Sequence, residues 1–411
     1  MDARAATDRA AGGQVESPYA WLRLVAATAL ATVGGVGMWS FVVALPAVQA
    51  DFALTRAEAS LPFTAVMIGF GTGALLIGRL VDGLGIFYPM VGAAIALGLG
   101  YVAAGHALDV WRLALAYGLI GLGSSAPFGP LVADLSRWFS GRRGIAVAIC
   151  SSGNSLAGVV WPPLIEHLIA AAGWRAAHAG VGIACVAAML PLTLALRRPA
   201  PTERRLAEGA AAARAQDALG LSPGALTALL AVAGVACCAA MAMPQVHIVA
   251  YCGDLGYGFA RGAEMLSLML GLSLVSRLAC GFLADRIGGV ATLLISSILQ
   301  AAGLLLYIGF DGLASLYVIS ALFGLFQGGL IPTYAVIVRE YFAPSQAGTR
   351  LGTILMATVV GMALGGWMSG AIFDLTGSYR PAFVTGFLWN LINIVIVLWI
   401  ILRRERRMAL A

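Results

Sequence analysis

The sequence predicts an all-α membrane protein with twelve transmembrane helices in two six-helix bundles. Three observations carry that prediction. The 411 residues are 60% hydrophobic and 11% charged, with a mean hydropathy of +0.91, whereas soluble domains carry about 25% charged residues. Apolar segments follow one another along the chain, each long enough to cross about 30 Å of hydrocarbon as a helix. The second half of the chain also repeats the first at a fixed offset.

In order, a polar tail over 1–20 lacks a cleavable signal pattern, so the first apolar segment is expected to stay as an anchor. Segments then run near 21–47, 59–81, 88–108, 110–136, 144–171 and 175–196, giving an N-terminal bundle over 21–196. A linker over 197–223, rich in Arg, Ala and Glu, separates it from segments near 224–251, 262–284, 289–309, 313–339, 350–373 and 380–402. These form the C-terminal bundle over 224–402, and 403–411 is a second tail.

The repeat is visible in Gly78-Arg79-Leu80-Val81-Asp82-Gly83-Leu84-Gly85, after the second segment, and Gly281-Phe282-Leu283-Ala284-Asp285-Arg286-Ile287-Gly288, after the eighth. Glycines and aspartates match at an offset of 203 (281 − 78 and 285 − 82), which Asp51 with Asp254 and Phe139 with Phe342 also keep. A constant offset over so long a stretch implies two homologous units.

Charge placement sets the orientation. There is no lysine, so every fixed cation is an arginine, and the net charge is +6. The arginines concentrate at Arg4, Arg9, Arg142, Arg143, Arg197, Arg198, Arg204, Arg205, Arg286, Arg403, Arg404, Arg406 and Arg407, all on one side. That side is expected to be the cytoplasm, with both termini and the linker in it. Clustering at segment ends is not a nucleic-acid face. The six cysteines lie mostly in apolar runs with no CxxC pair, so neither a disulfide framework nor a metal site is expected. No nucleophile motif or phosphate loop appears, and neither an enzyme nor a cofactor is expected.

One residue breaks the apolar rule. Arg277 is the only charge in Met265–Leu283 and lies about 12 Å along the helix from Asp285. A guanidinium there is costly by at least about 2.5–3.5 kcal/mol, and such residues face a bundle interior or aqueous cavity. Its equivalent in the first half is Ala74, so the repeat does not require it. Its planar fork fits a carboxylate in two parallel hydrogen bonds. In the seventh segment His247, Tyr251 and Asp254 are spaced i, i+4, i+7 and share a face beyond Pro244. A histidine titrates near neutrality, so His247, with Asp254 at the segment's end, is a candidate proton-coupling group.

Secondary candidates are weaker. Ser125-Ala126-Pro127-Phe128-Gly129-Pro130 and Gln327-Gly328-Gly329-Leu330-Ile331-Pro332-Thr333-Tyr334 are equivalent, interrupted stretches, a pointer to a central site. Phe128, Gln327, Tyr334, the polar Asn154 and Trp39 are therefore candidate substrate contacts, each against a plain helix-packing reading. Gly361, Gly365, Gly366 and Gly370 fit close helix packing. Asp82 and Asp285 with Arg142 and Arg143 are expected to form a conformational latch of cytoplasmic ion pairs.

The two G-x-L-x-D-x-x-G-like loops resemble those of the major facilitator superfamily, and the resemblance covers essentially the whole chain. Within it the chain resembles the monocarboxylate transporter family, particularly its bacterial branch, on Trp138-Phe139-Ser140-Gly141-Arg142-Arg143-Gly144, on Pro244–Gly256, and on Arg277. The resemblance implies that Arg277 binds the substrate carboxylate. Ser273 stands where animal members place an acidic residue. The expected function is proton-coupled symport of a small monocarboxylate by a monomer in a bacterial inner membrane. The alternatives are an exporter or exchanger of another organic anion or small apolar compound, and a non-transporting sensor.

Overall fold

The computed structural model describes residues 16–139, 142–198, 220–342 and 344–410. Among these residues all regular structure is helical. The chain divides into unit 1, Met1–Ala44 with Ala65–Arg205, and unit 2, Leu45–Thr64 with Leu206–Ala411. Most of the linker expected over 197–223 falls outside the described residues.

Unit 1 begins with α1 (Pro18–Gly34), capped by the Ser17 hydroxyl, which accepts from the backbone of Ala20, with Pro18 in the first turn. α2 (Val36–Phe52) follows at once and passes into unit 2 at Ala44–Leu45, next to its internal Pro46. α3 (Arg56–Ala59) lies in unit 2, while α4 (Leu61–Leu84) returns to unit 1 at Ala65. Then come α5 (Phe87–Gly105), α6 (Val110–Ser125) and α7 (Gly129–Leu135), the last two separated by a break at Phe128.

α8 runs over Arg143–Thr193 as 51 residues, but Gly173 inside it has φ 79° and ψ 158°. At 1.5 Å per residue an unbroken helix of that length would reach about 75 Å, far more than a bilayer. The extended glycine is the chain reversal. Before it, Gly153 meets Ala31 of α1 and Ala157 meets Gly35 just beyond that helix; after it, Gly182 and Arg175 meet Tyr101 and Gly105 of α5. Because the fifth and sixth segments run together here, eleven stretches of the described residues are long and apolar enough to cross a membrane, where the sequence predicts twelve.

Unit 2 continues with α9 (Pro223–Asp254), α10 (Phe259–Ile287), α11 (Gly289–Gly309), α12 (Leu313–Gln327), α13 (Leu330–Tyr341), α14 (Pro344–Thr376) and α15 (Arg380–Leu410). Small residues set its packing. A Cβ on Gly361 or Gly365 of α14 would stand 2.4 and 2.2 Å from the carbonyl oxygens of Val235 and Ala239 of α9, so those backbones touch directly.

The internal repeat extends to these contacts. In unit 1 a Cβ on Gly121 would meet the carbonyl of Val66 at 2.1 Å; in unit 2 one on Gly324 would meet that of Met269 at 2.1 Å. Both pairs keep the 203-residue offset (324 − 121 and 269 − 66). The duplicated sequence therefore folds into duplicated helix crossings.

Residues 45–64 are where sequence order and packing part. They lie across the end of the first and the start of the second segment assigned to the N-terminal bundle but belong to unit 2. Asp374 accepts from the backbone N–H groups of Arg56 and Ala57 at 2.7 Å each, and Gly370 packs on the Arg56 backbone.

Candidate functional site

Arg277 sits on α10, on the arc shared by Ser273, Ser276 and Cys280, at spacings i−4, i−1 and i+3. The break between α12 and α13 docks on this arc. The Ser276 hydroxyl accepts from the Gly329 N–H at 3.1 Å. A Cβ on Gly328 would lie 2.2 Å from the Ser273 carbonyl, and one on Gly329 2.2 Å from Cys280 Sγ. Two glycines thus let the interrupted tenth segment lie directly against the turn that bears the arginine.

The protein leaves the polar groups here unused. Among the described residues Arg277 has no ion pair or hydrogen bond, and its Nε is buried. Gln327, the last residue of α12, is 2% exposed with both amide atoms unpartnered. The Tyr334 hydroxyl on α13 is fully buried without a hydrogen bond, its polar neighbours being the thiols of Cys237 and Cys238. Buried polar groups are almost always satisfied, so this concentration in one unit calls for an explanation.

Among the described residues the seventh segment could supply a partner for Arg277 through Asp254 or His247. It does not. Asp254, at the end of α9, pairs with Arg56, whose Nη2 donates to both carboxylate oxygens at 3.0 and 3.1 Å. The guanidinium lies 4.8 Å from the Phe373 ring centre and 5.9 Å from that of Tyr379. The Tyr379 hydroxyl, held protonated because burial raises its pKa, lies 3.0 Å from His247 Nδ1. His247 Nε2 is 2.8 Å from the Gly366 carbonyl. A carbonyl only accepts, so Nε2 carries the proton and Nδ1 accepts from the tyrosine. His247 is fully buried and, as a neutral ring, uses both nitrogens. Tyr251 packs edge-on against Tyr379 at 5.4 Å. The three seventh-segment residues thus converge on one aromatic cluster.

The remaining candidates lie in unit 1. Phe128 occupies the α6–α7 break with φ −96° and ψ −93°, its ring 5.7 Å from that of Phe70. Trp39 is 6% exposed and its indole N–H has no partner. Asn154 is half-buried with its Oδ1 against Gly35. Of the expected latch, the side chains of Asp82 and Arg143 fall outside the described residues. Asp285 is exposed, and Arg142 lies 5.9 Å from the Trp21 ring centre.

Sequence reasoning missed two charged sites. Arg23 of α1 is fully buried, donating to Asp134 of α7 through Nε and Nη2 at 3.2 and 2.5 Å. Opposite charges inside the first and fourth apolar segments were the available signal. Arg56 was the other, legible only as a cation in the first loop.

A family model of the Major Facilitator Superfamily matches residues 27–294 and 230–410. Bovine Monocarboxylate transporter 13 is 31% identical over 304 residues, covering 70% of this chain and 67% of the relative. The chain belongs to the Major Facilitator Superfamily, in its monocarboxylate transporter family. Human Monocarboxylate transporter 11 is 29% identical over 313 residues, covering 72% of this chain and 64% of its own length. Among solved structures, a variant of the nucleoside transporter NupG superposes with a TM-score of 0.72 at 13% identity, over 93% of this chain and 99% of that one. An inward-facing bacterial homologue of the human lysosomal transporter Spinster gives 0.68 at 15%, over 95% and 97%. These two likenesses establish the facilitator fold. Family members are transporters, so this chain is a multi-pass membrane transporter and not an enzyme.

Proposed function

We propose that this facilitator carries small monocarboxylate anions, of the lactate and pyruvate kind, together with protons by alternating access. The observation that carries the reading is Arg277, a guanidinium within an apolar helix for which the described residues supply neither an ion pair nor a hydrogen bond. A charge so placed is retained where an anion or water meets it. Its fork suits a carboxylate, and the unused amide of Gln327 and hydroxyl of Tyr334 stand ready on neighbouring elements. No second cation sits midway along an apolar segment, which favours a monoanion. The relatives' names point to the same class.

For the proton, Asp254 is the stronger candidate. A second proton on His247 would reverse its bond with Tyr379 and place a cation beside Arg56, whereas protonating Asp254 only releases Arg56. The arginine-rich segment ends support cytoplasmic termini, and we assign the carrier to a bacterial inner membrane, working as a monomer.

Ligand binding to purified protein tests the carboxylate assignment. A ligand at 100 times its Kd stabilises the folded state by about 2.7 kcal/mol. Pyruvate and lactate should raise the unfolding temperature, uncharged lactamide should not, and Arg277→Ala should abolish the shift. An Arg277→Ala protein stabilised by pyruvate as well as the parent overturns the reading.

A further inference from the structure

Within residues 45–64, which belong to unit 2, Asp374 holds the first N–H groups of α3, and an ion pair with Asp254 holds the side chain of Arg56. Arg56 is 6% exposed. Its Nη2 bonds both oxygens of Asp254, while its Nε and Nη1 are buried with no partner. Among the described residues Asp254 is therefore the only carboxylate neutralising the guanidinium. The chain enters this segment along α2 beside Pro46, which removes one helical hydrogen bond and permits a bend.

We propose that Arg56 is the coupling partner of Asp254: a proton taken by Asp254 releases the guanidinium, and α3 loosens against α9 and α14 in that step. The proposal rests on the proton-coupled reading above. The proton forms an O–H bond on the Asp254 carboxylate, giving a neutral acid; Arg56 stays a cation and no other bond changes. A buried guanidinium left with two aromatic rings and no anion is unfavourable, so it moves toward water. The Asp254 side chain is 34% exposed, so solvent protons reach it.

The neighbouring groups leave this role to Asp254. Tyr251 is one turn back on α9, and the Tyr379 hydroxyl is engaged with His247. Asp374 accepts from two backbone N–H groups at the start of α3. Asp311 pairs with Arg380 at 2.7 Å, and the Tyr257 hydroxyl donates to the Asp311 carbonyl. Among the described residues none of these gives Arg56 a second ion pair.

Hydrogen exchange of the full-length protein in nanodiscs, without substrate, reads the release directly. Amides of 53–60, corrected for intrinsic rates, should exchange about tenfold faster near pH ~5 than near pH ~8. Asp254→Asn should exchange fast at both, and Arg56→Gln should do the same if the Asp254 variant fails to fold. Asp374→Asn should keep the pH dependence, and the swapped pair Arg56→Asp with Asp254→Arg should restore protection at the higher pH. Equal protection at both pH values in the parent, or a pH dependence that survives in Asp254→Asn, overturns the proposal. Because no substrate is present, failure here is separable from failure of the transport reading, which labelled uptake decides.

Discussion

Replacing Asp134 by alanine isolates the value of one buried charge pair. Arg23 Nε and Nη2 both donate to Asp134 Oδ2, at 3.2 and 2.5 Å. Its Nη1 donates to the carbonyls of Ala195 and Arg198 at 3.3 and 3.2 Å, and its guanidinium carbon lies 4.7 Å from the Trp138 ring centre. Removing one partner of a buried pair costs about 3–5 kcal/mol, because the remaining charge is uncompensated. Two carbonyls and an indole face still meet Arg23 in the variant, which places Asp134→Ala near the low end, about 3 kcal/mol. Arg23→Met costs less, since Asp134 keeps Arg137 at 3.3 Å. Combining Arg23→Met with Asp134→Leu removes both charges at similar volume and should fall within about 1 kcal/mol of the parent. Equilibrium unfolding in mixed micelles, read as a double-mutant cycle, measures these differences. The reasoning fails if Asp134→Ala is within about 0.5 kcal/mol of the parent, or if the apolar pair is as damaging as the single variant.

Further outcomes follow from close contacts and from the buried histidine. Gly365→Ala places a methyl 2.2 Å from the Ala239 carbonyl and should lower the unfolding temperature sharply, whereas Gly78→Ala, with nothing within 4 Å, should leave it within a degree or two or raise it. His247→Leu leaves the Gly366 carbonyl and Tyr379 hydroxyl without their partner and should cost about 1–3 kcal/mol in the same unfolding assay. His247→Gln, which keeps one donor and one acceptor, should recover much of that loss; no difference between the two variants would show that the hydrogen bonds carry little.

The fold was legible because a bilayer makes backbone satisfaction local: each apolar run must be a helix, and its length is fixed by membrane thickness. The repeat was legible too, and the equivalent Gly121–Val66 and Gly324–Met269 crossings give it structural form. What the sequence withheld was pairing at long range. Nothing near Arg56 says that its carboxylate lies 198 residues away, so the grouping of 45–64 with unit 2 could not be read from segment order. The same blindness hid Arg23 with Asp134. Arg277 announced itself through an apolar run, but that the described residues leave it without an ion pair or hydrogen bond needed the fold. The i, i+4, i+7 spacing of His247, Tyr251 and Asp254 marked one helix face; that the face meets Tyr379 and Arg56 needed the fold.

The central claim is that Arg277 receives a monocarboxylate whose movement is driven by protons. Uptake of labelled lactate into proteoliposomes, with and without an inward proton gradient, tests it most directly when parent, Arg277→Lys and Arg277→Ala are run side by side. Gradient-stimulated uptake by the parent, much reduced in Arg277→Lys because a point charge replaces a planar fork, and absent in Arg277→Ala, is the predicted result. Uptake indifferent to the gradient would contradict the coupling, and normal uptake by Arg277→Ala would contradict the site itself.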